Sequence, residues 1–142
     1  MIRSARMARG TRKPLSPRQQ RDLDIEIGFL AGLTMRDPSF VEALQLLSDD
    51  YLQRGRLAEG ISVDEQVARL RPHDPGAQYN LACSYALTDR HEAAFDALNR
   101  AIDAGYRDFR RLARDPDLAA FRKHPLYRKL RARVRGIHIQ VR

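Results

Sequence analysis

The chain has 142 residues, of which 43% are hydrophobic, and carries a formal net charge of +8 at pH 7. This length and composition predict a globular domain, and no run of about 20 apolar residues is present that could cross a membrane. The basic N-terminus lacks the apolar segment of a secretory signal, and the single cysteine excludes an internal disulfide. We therefore expect a protein of a reducing compartment, the cytoplasm.

Charge is distributed unevenly along the chain. Residues 1–21 carry seven Lys or Arg and no acid, and residues 107–142 carry twelve Lys or Arg against three Asp. Between them, residues 22–106 carry seven basic and fifteen acidic side chains. Two interpretations stay open: the basic ends are solvated arms that keep the chain soluble, or they bind RNA or another polyanion.

In chain order, a basic arm over residues 1–15 precedes the first predicted helix. Ser16, Pro17 and Gln19 have the pattern of an N-cap, a proline in the first turn and a capping-box residue. A helix is therefore expected over 16–35.

Two glycines, Gly28 and Gly32, lie about one turn apart in this helix. Because charged residues precede them, the spacing predicts close packing against another helix in a soluble protein rather than a dimer in a membrane.

The later helices are predicted from capping residues, prolines and glycines. Helix starts are indicated at Ser39–Glu42 and Asp89–Glu92, which have capping-box spacing, and at Asp74-Pro75 and Asp115-Pro116, where an N-cap precedes proline. Gly55 and Gly105 are expected to end helices in left-handed turns. The predicted helices span 39–53, 56–71, 75–87, 90–104, 108–113, 116–123 and 125–134.

The chain has an internal repeat with a period of about 34 residues, a length typical of helical repeat proteins. The interval from Pro38 to Pro72 equals the interval from Pro72 to Tyr106. Similar residues recur at the same spacing: Ala43 with Ala77, Leu47 with Leu81, Tyr51 with Tyr85, Gly60 with Ala94, and Val67 with Ala101. Pairs of helices repeated at this period predict an all-α solenoid.

With this period the chain resembles the tetratricopeptide repeat family, whose unit is a helix-turn-helix of about 34 residues. Residues 40–72 match its pattern weakly, and residues 77–106 match it well, at Leu81, Ala82, Tyr85, Ala94, Leu98 and Ala101. Residues 105–130 look like the segment that closes many bacterial members. The resemblance implies a right-handed solenoid over 16–134, with a leading helix, two good repeats and C-terminal capping helices, followed by a basic tail over 135–142.

The resemblance also implies a concave surface lined by the first helix of each repeat. The residues that it places there are Gln45, Asp49, Leu52, Tyr79, Asn80, Cys83 and Leu87. Such a groove would suit a peptide with apolar anchors and a basic residue, unless the protein's own C-terminal segment packs there. We therefore expect a non-enzymatic adaptor or scaffold that binds a peptide or protein partner.

The alternative function uses the basic ends and makes the chain an RNA- or ribosome-associated protein. The basic residues of the last predicted helix are Arg128, Lys129, Arg131, Arg133 and Arg135. Few aromatic residues lie near them, so contact with phosphates is expected rather than stacking on bases.

No residue set predicts catalysis or metal binding. Cys83 has no histidine at an informative spacing, and the four histidines are scattered along the chain. We therefore expect no enzyme activity, no cofactor, no metal and no membrane contact.

Overall fold

The computed structural model describes residues 14–140, with side chains up to residue 138. Regular structure in this range is entirely helical, which confirms the all-α prediction. None of the described helices combines the length and apolar character that crossing a bilayer requires. Most of the predicted basic arm, residues 1–13, lies outside the described residues.

The described helices are α1 (Pro17–Arg36), α2 (Val41–Gln53), α3 (Leu57–Leu70), α4 (Pro75–Leu87), α5 (His91–Asp103), α6 (Phe109–Arg114), α7 (Ala119–Arg122) and α8 (Leu126–Gln140). A 3-10 turn, Pro116–Leu118, precedes α7, so the helix predicted over 116–123 is divided. The other predicted bounds agree within two residues, except at α8. This helix continues past residue 134, so the tail predicted from residue 135 is helical through Gln140.

The chain divides into two compact units, residues 1–70 and 71–142. In the first unit, α2 packs against α1 and α3. In the second unit, α4 packs against α5, the 3-10 turn and α7, while α8 packs against α5 and α7. That residues 16–134 form one domain stays a prediction.

Helix caps agree with the sequence at some positions and differ at others. At α1, Ser16 Oγ accepts the Gln19 N–H at 3.1 Å and Gln19 Oε1 accepts the Ser16 N–H at 2.9 Å, which confirms the capping box. Asp74 and Asp115 also cap, through the N–H groups of Gly76 at 2.9 Å and Asp117 at 3.0 Å.

The capping boxes predicted at Ser39 and Asp89 are wrong. Ser39 bonds to Asp37 instead, and α2 begins after Phe40 without a side-chain cap. Asp89 lies in the left-handed region, with φ 58°, so α5 begins one residue later, after Arg90. The tight turn before α5 holds Asp89 in this left-handed conformation, and no side chain caps the start of α5.

The same local contacts recur in the two units at equivalent positions of the repeat. The Arg56 guanidinium lies 4.8 Å from the centre of the Tyr51 ring, and the Arg90 guanidinium lies 4.5 Å from that of Tyr85. In each pair the arginine N–H also donates to the tyrosine carbonyl oxygen, at 2.8 and 2.9 Å. The turn between the helices of each pair therefore has one construction.

Left-handed backbone lies at the same place in both turns. Gly55 has φ 85°, and Asp89, its equivalent in the second unit, has φ 58°. Gly105 follows α5 with φ 110°, so both glycines predicted to end helices do lie in left-handed turns. This region strongly favours glycine, and aspartate is among the few other residues that adopt it.

The two helix pairs differ in the sizes of the side chains that meet between their helices. A Cβ atom at Gly60 would lie 2.7 Å from Leu52 Cγ, so α2 and α3 meet through a leucine and a glycine. The equivalent residues in the second pair are Ala86 and Ala94, both buried. The glycine in the first pair is therefore required by the leucine that contacts it.

Candidate functional site

Three predicted groove residues belong to the first unit and four to the second. In the first unit, Asp49 and Leu52 are buried and Gln45 is half-buried. Leu52 packs against Gly60, so its side chain belongs to the contact between α2 and α3. Gln45 is therefore the member of this set that keeps the most accessible surface.

In the second unit, Tyr79 and Cys83 are buried, whereas Asn80 and Leu87 are half-buried. All four lie on α4, where the 3-10 turn and α7 also pack. These packed elements belong to residues 105–130, which we call the closing segment.

Tyr79 is held by three residues of the closing segment. Its hydroxyl donates to Asp115 Oδ2 at 2.6 Å. Its ring stacks on Tyr106 with centroids 4.5 Å apart and an interplanar angle of 7°. The Arg111 guanidinium lies 5.2 Å from the ring centre. Only 2% of Tyr79 is exposed, so the ring has no surface left for a partner.

Asp115 is the polar centre of this cluster. Its two carboxylate oxygens accept from Tyr79 and from the Asp117 N–H, and Arg111 Nε lies 3.5 Å from Oδ2. Cys83 Sγ lies 3.9 Å from the same Oδ2. A buried carboxylate needs hydrogen bonds and a nearby cation to offset its desolvation, and both are present here.

Burial raises the pKa of both stacked tyrosines. Loss of solvent around the Tyr79 hydroxyl, reinforced by Cys83 and by the hydrogen bond to Asp115, raises its pKa well above the ordinary range. Burial also raises the pKa of Tyr106 to about 12. Both rings are therefore neutral near pH 7, and Tyr79 is a hydrogen-bond donor.

The expectation of an open groove at Tyr79 and Cys83 is corrected by these contacts. The closing segment lies over both residues. This is the alternative that the sequence left open, in which the protein's own C-terminal segment packs in the groove. Leu118 and Phe121 of that segment are fully buried, so apolar packing accompanies the polar contacts. A partner-binding role for the remaining, more accessible residues stays a prediction.

One cluster with metal-ligand distances had no signal in the sequence spacing. Cys83, Asp115 and Asp117 are buried, and one ligand atom from each lies within 4.8 Å of the others. The Asp115 oxygens, however, are already hydrogen-bonded to Tyr79 and Asp117. The cluster is explained by the packing of the closing segment on α4, and the absence of a metal stays a prediction.

Two histidines that are far apart in sequence also come together. The rings of His91 and His124 are 4.9 Å apart, and they border an open hollow of about 370 Å³. His124 Nδ1 accepts the Leu126 N–H at 3.2 Å, which holds this ring at the start of α8. Asp89 Oδ1 lies 3.5 Å from His91 Nε2. Only the fold brings these groups together, since His91 begins α5 and His124 follows α7.

The five basic residues predicted to bind a polyanion lie on α8 but have different surroundings. Arg128, Lys129, Arg131 and Arg135 are exposed. Arg131 stacks on the Tyr127 ring at 5.9 Å. Arg133 instead bonds to the Asn99 side chain at 2.8 Å and forms an ion pair with Asp103, so it ties α8 to α5.

Comparison with known proteins gives limited similarity. No family model matches the chain. A chloroplastic protein of Arabidopsis thaliana is 33% identical to this chain over 91 residues, which cover 62% of the chain and 26% of that protein. The chain therefore spans about a quarter of the length of this relative.

Proposed function

We propose that this protein is a non-enzymatic interaction module of the tetratricopeptide type, acting as an adaptor or scaffold for a protein partner. The observation that supports the proposal is the recurrence of one turn construction in both helix pairs, in which arginine stacks on tyrosine beside a left-handed residue. The two turns are separated by one tetratricopeptide unit of about 34 residues. Helical repeats of this kind present extended binding surfaces.

In the second unit, the proposed contact surface is the part of α4 that the closing segment leaves accessible. Asn80 and Leu87 are half-buried there, two helical turns apart. This separation corresponds to about 10 Å along the helix, so the two side chains can contact separate points of one bound segment. Leu87 supplies an apolar anchor and Asn80 a hydrogen-bonding amide.

The test compares capture of a partner from native-cell extract by the wild-type chain and by Leu87→Glu. We expect the wild type to capture a protein partner whose recovery is unchanged by nuclease treatment. Its recovery should fall at least tenfold with Leu87→Glu, because the new charge cannot enter an apolar contact. Ala120→Glu is the matched control, since Ala120 is exposed on α7. Equal capture by the wild type and both variants would contradict binding at this surface, and so would the absence of a partner.

A second candidate function, polyanion binding, is favoured by the exposure of four basic residues on α8. Binding to single-stranded RNA should weaken with salt, with a log–log slope of about −0.7 for each phosphate contacted. The triple variant with Arg128, Lys129 and Arg135 changed to Gln should lose retention. Arg131 and Arg133 are kept because they contact Tyr127 and Asn99.

The matched control changes three exposed arginines outside both basic ends of the chain to Gln: Arg36, Arg69 and Arg71. Both triple variants lower the net charge equally, so a general charge effect would weaken RNA binding in both. Loss of RNA retention in the α8 variant alone would support RNA binding by the exposed basic residues of α8. Absence of RNA binding by the wild type at low salt excludes this candidate.

A further inference from the structure

Three exposed arginines of α8 lie on one side of the helix. Arg128, Arg131 and Arg135 follow each other at intervals of three and four residues, which aligns them along the helix axis. We call them the arginine row, and at 1.5 Å per residue it is about 10 Å long. Lys129 is also exposed, but a rotation of about 100° per residue places it on the flank of α8, away from the row.

The other side of α8 packs on the rest of the second unit. Leu130 is fully buried there and Val134 is half-buried. Arg133 lies on the same side and bonds to Asn99 and Asp103 of α5. These contacts fix the orientation of α8, so the arginine row faces away from the packed side.

No carboxylate of the described residues neutralises the arginine row. Residues 118–142 contain eight Lys or Arg and no acid. The ion pairs found among the described residues include Arg133 with Asp103 but no arginine of the row. The three guanidinium groups are therefore available to an external anion.

Tyr127 holds the middle arginine of the row. The Arg131 guanidinium lies 5.9 Å from the centre of the Tyr127 ring. That ring packs edge-on against the fully buried Phe121, with centroids 6.1 Å apart. Attraction between guanidinium and ring orients Arg131 before any ligand binds, which lowers the entropy lost on binding. Tyr127 is therefore a positioning residue for Arg131.

The surface around the row suits phosphate groups better than a protein partner. Up to residue 138, the exposed residues of α8 include no large apolar side chain. Protein interfaces usually have an apolar core that is depleted of charge. A nucleic-acid backbone needs no such core, because it binds through charge, and guanidinium groups form paired hydrogen bonds with phosphate oxygens.

We propose, resting on the second candidate function, that the arginine row is one continuous site for the phosphate backbone of a single RNA strand lying along α8. A single strand can extend along a straight row, whereas the strands of a duplex wind around their axis. Contacts to phosphates carry no sequence information, so binding is independent of the bases. Lys129, on the flank, and Arg133, which is bonded to α5, lie outside the site.

The test measures how RNA affinity depends on salt. Fluorescence anisotropy of labelled oligo(U) and oligo(A) of equal length, titrated with the full chain between about 50 and 200 mM salt, gives the log–log slope. Arg128→Gln and Arg135→Gln should each make this slope less negative by about 0.7, the value of one phosphate contact. The two oligonucleotides should give the same slopes.

Two further variants remove one positive charge each from outside the row. Lys129→Gln, on the flank of the same helix, should change the slope by less than about 0.3, under half the value of one contact. Arg71→Gln, at an exposed arginine of the second unit outside α8, is the matched control and should leave the slope unchanged.

The positioning role of Tyr127 has its own test. Tyr127→Leu keeps an apolar residue beside Phe121 and removes the ring from Arg131, so RNA affinity should fall about two- to fivefold. In an Arg131→Gln background the same change should have no further effect. A loss of equal size in both backgrounds would show that Tyr127 acts through packing alone and would overturn the positioning role.

The outcomes separate failure of the row from failure of RNA binding itself. Absence of RNA binding by the wild type at low salt overturns both. RNA binding with equal slope changes for Arg128→Gln and Lys129→Gln overturns the row and leaves the candidate function. Poly-glutamate that binds as tightly as RNA, and is weakened by the same two row variants, would assign the row to an acidic protein segment instead.

Discussion

At the residue scale, Tyr79 shows how one side chain joins α4 to the closing segment. Its ring stacks on Tyr106 and its hydroxyl donates to Asp115. The ring buries apolar area and the hydroxyl satisfies a carboxylate that would otherwise lack this donor. The two roles can be separated, because phenylalanine keeps the ring and removes only the hydroxyl.

We predict that Tyr79→Phe lowers the free energy of unfolding by about 1–3 kcal/mol, the cost of removing a partner from a buried acceptor. Tyr79→Ala should lower it by about 3–5 kcal/mol, because it also leaves a cavity. Urea denaturation measures both. Tyr51→Phe is the control, since Tyr51 contacts Arg56 through its ring. A Tyr79→Phe variant as stable as the control would contradict a stabilising role for the bond to Asp115.

The same residue predicts instability at alkaline pH. The folded-state pKa of Tyr79 is raised by burial, so the folded chain holds this proton when the unfolded chain has lost it. Its stabilising contribution is therefore complete below about pH 10 and is lost as pH rises further. Tyr106, with a pKa raised to about 12, acts in the same direction.

We expect the free energy of unfolding to fall above pH 10 by about 1.4 kcal/mol per pH unit for each such tyrosine. Tyr79→Phe removes one of the two tyrosines that cause this fall, so its free energy of unfolding should decrease less steeply with pH. The free energies of unfolding of the wild type and the variant should therefore approach each other between pH 9 and pH 11. Urea titrations at several pH values give the two slopes. Parallel pH profiles would show that Tyr79 ionises as freely in the folded chain as in the unfolded one.

At the element scale, the two helix pairs share a turn but differ inside. In the first unit, Ser48 Oγ donates to Asp64 Oδ1 and lies 3.3 Å from the Gly60 carbonyl oxygen, and both side chains are buried. The equivalent residues in the second unit are Ala82 and Leu98, also buried. The first pair therefore uses a polar contact where the second has apolar residues.

We predict that Ser48→Ala lowers the free energy of unfolding by about 1–3 kcal/mol, because a buried carboxylate loses a donor. Adding Asp64→Leu should recover most of this loss, since replacing both polar partners by apolar groups can be nearly neutral. A double-mutant cycle in urea measures the coupling. If the losses of the two single variants simply add, the hydrogen bond does not account for the cost.

Most helices of this fold could be predicted from sequence because caps, prolines and the repeat period are local signals. The failures have local causes too: the spacing from Asp89 to Glu92 fits a capping box, but the turn requires a left-handed residue at Asp89. The sequence left burial of Tyr79 open as an alternative but could not decide it, because burial depends on Tyr106 and Asp115, which lie beyond α5 in the closing segment. Spacing within α4 carries no information about them.

At the scale of the whole molecule, the closing segment controls access to Cys83. This is the single cysteine of the chain, and it is buried. Phe121 is fully buried in the second unit, and Leu44 is almost fully buried in the first. Because the contacts divide the chain into two units at residue 70, the loss of buried packing in one unit need not open the other unit.

We therefore predict that labelling of Cys83 by an aromatic disulfide reagent is slow and follows the opening of the second unit alone. Phe121→Ala removes about 3–5 kcal/mol of packing and should accelerate labelling at least 100-fold, since each 1.4 kcal/mol is about a factor of ten in the open population. Leu44→Ala, an equally buried truncation in the first unit, should leave the rate within about twofold. Lys123→Ala, at an exposed position two residues from Phe121, is the control for a change in the closing segment that removes no packing.

Equal acceleration by Leu44→Ala and Phe121→Ala would show that Cys83 is reached only when the whole chain unfolds. A partner that binds by displacing the closing segment would accelerate labelling in the wild type, whereas one that docks on Asn80 and Leu87 with the segment in place would slow it.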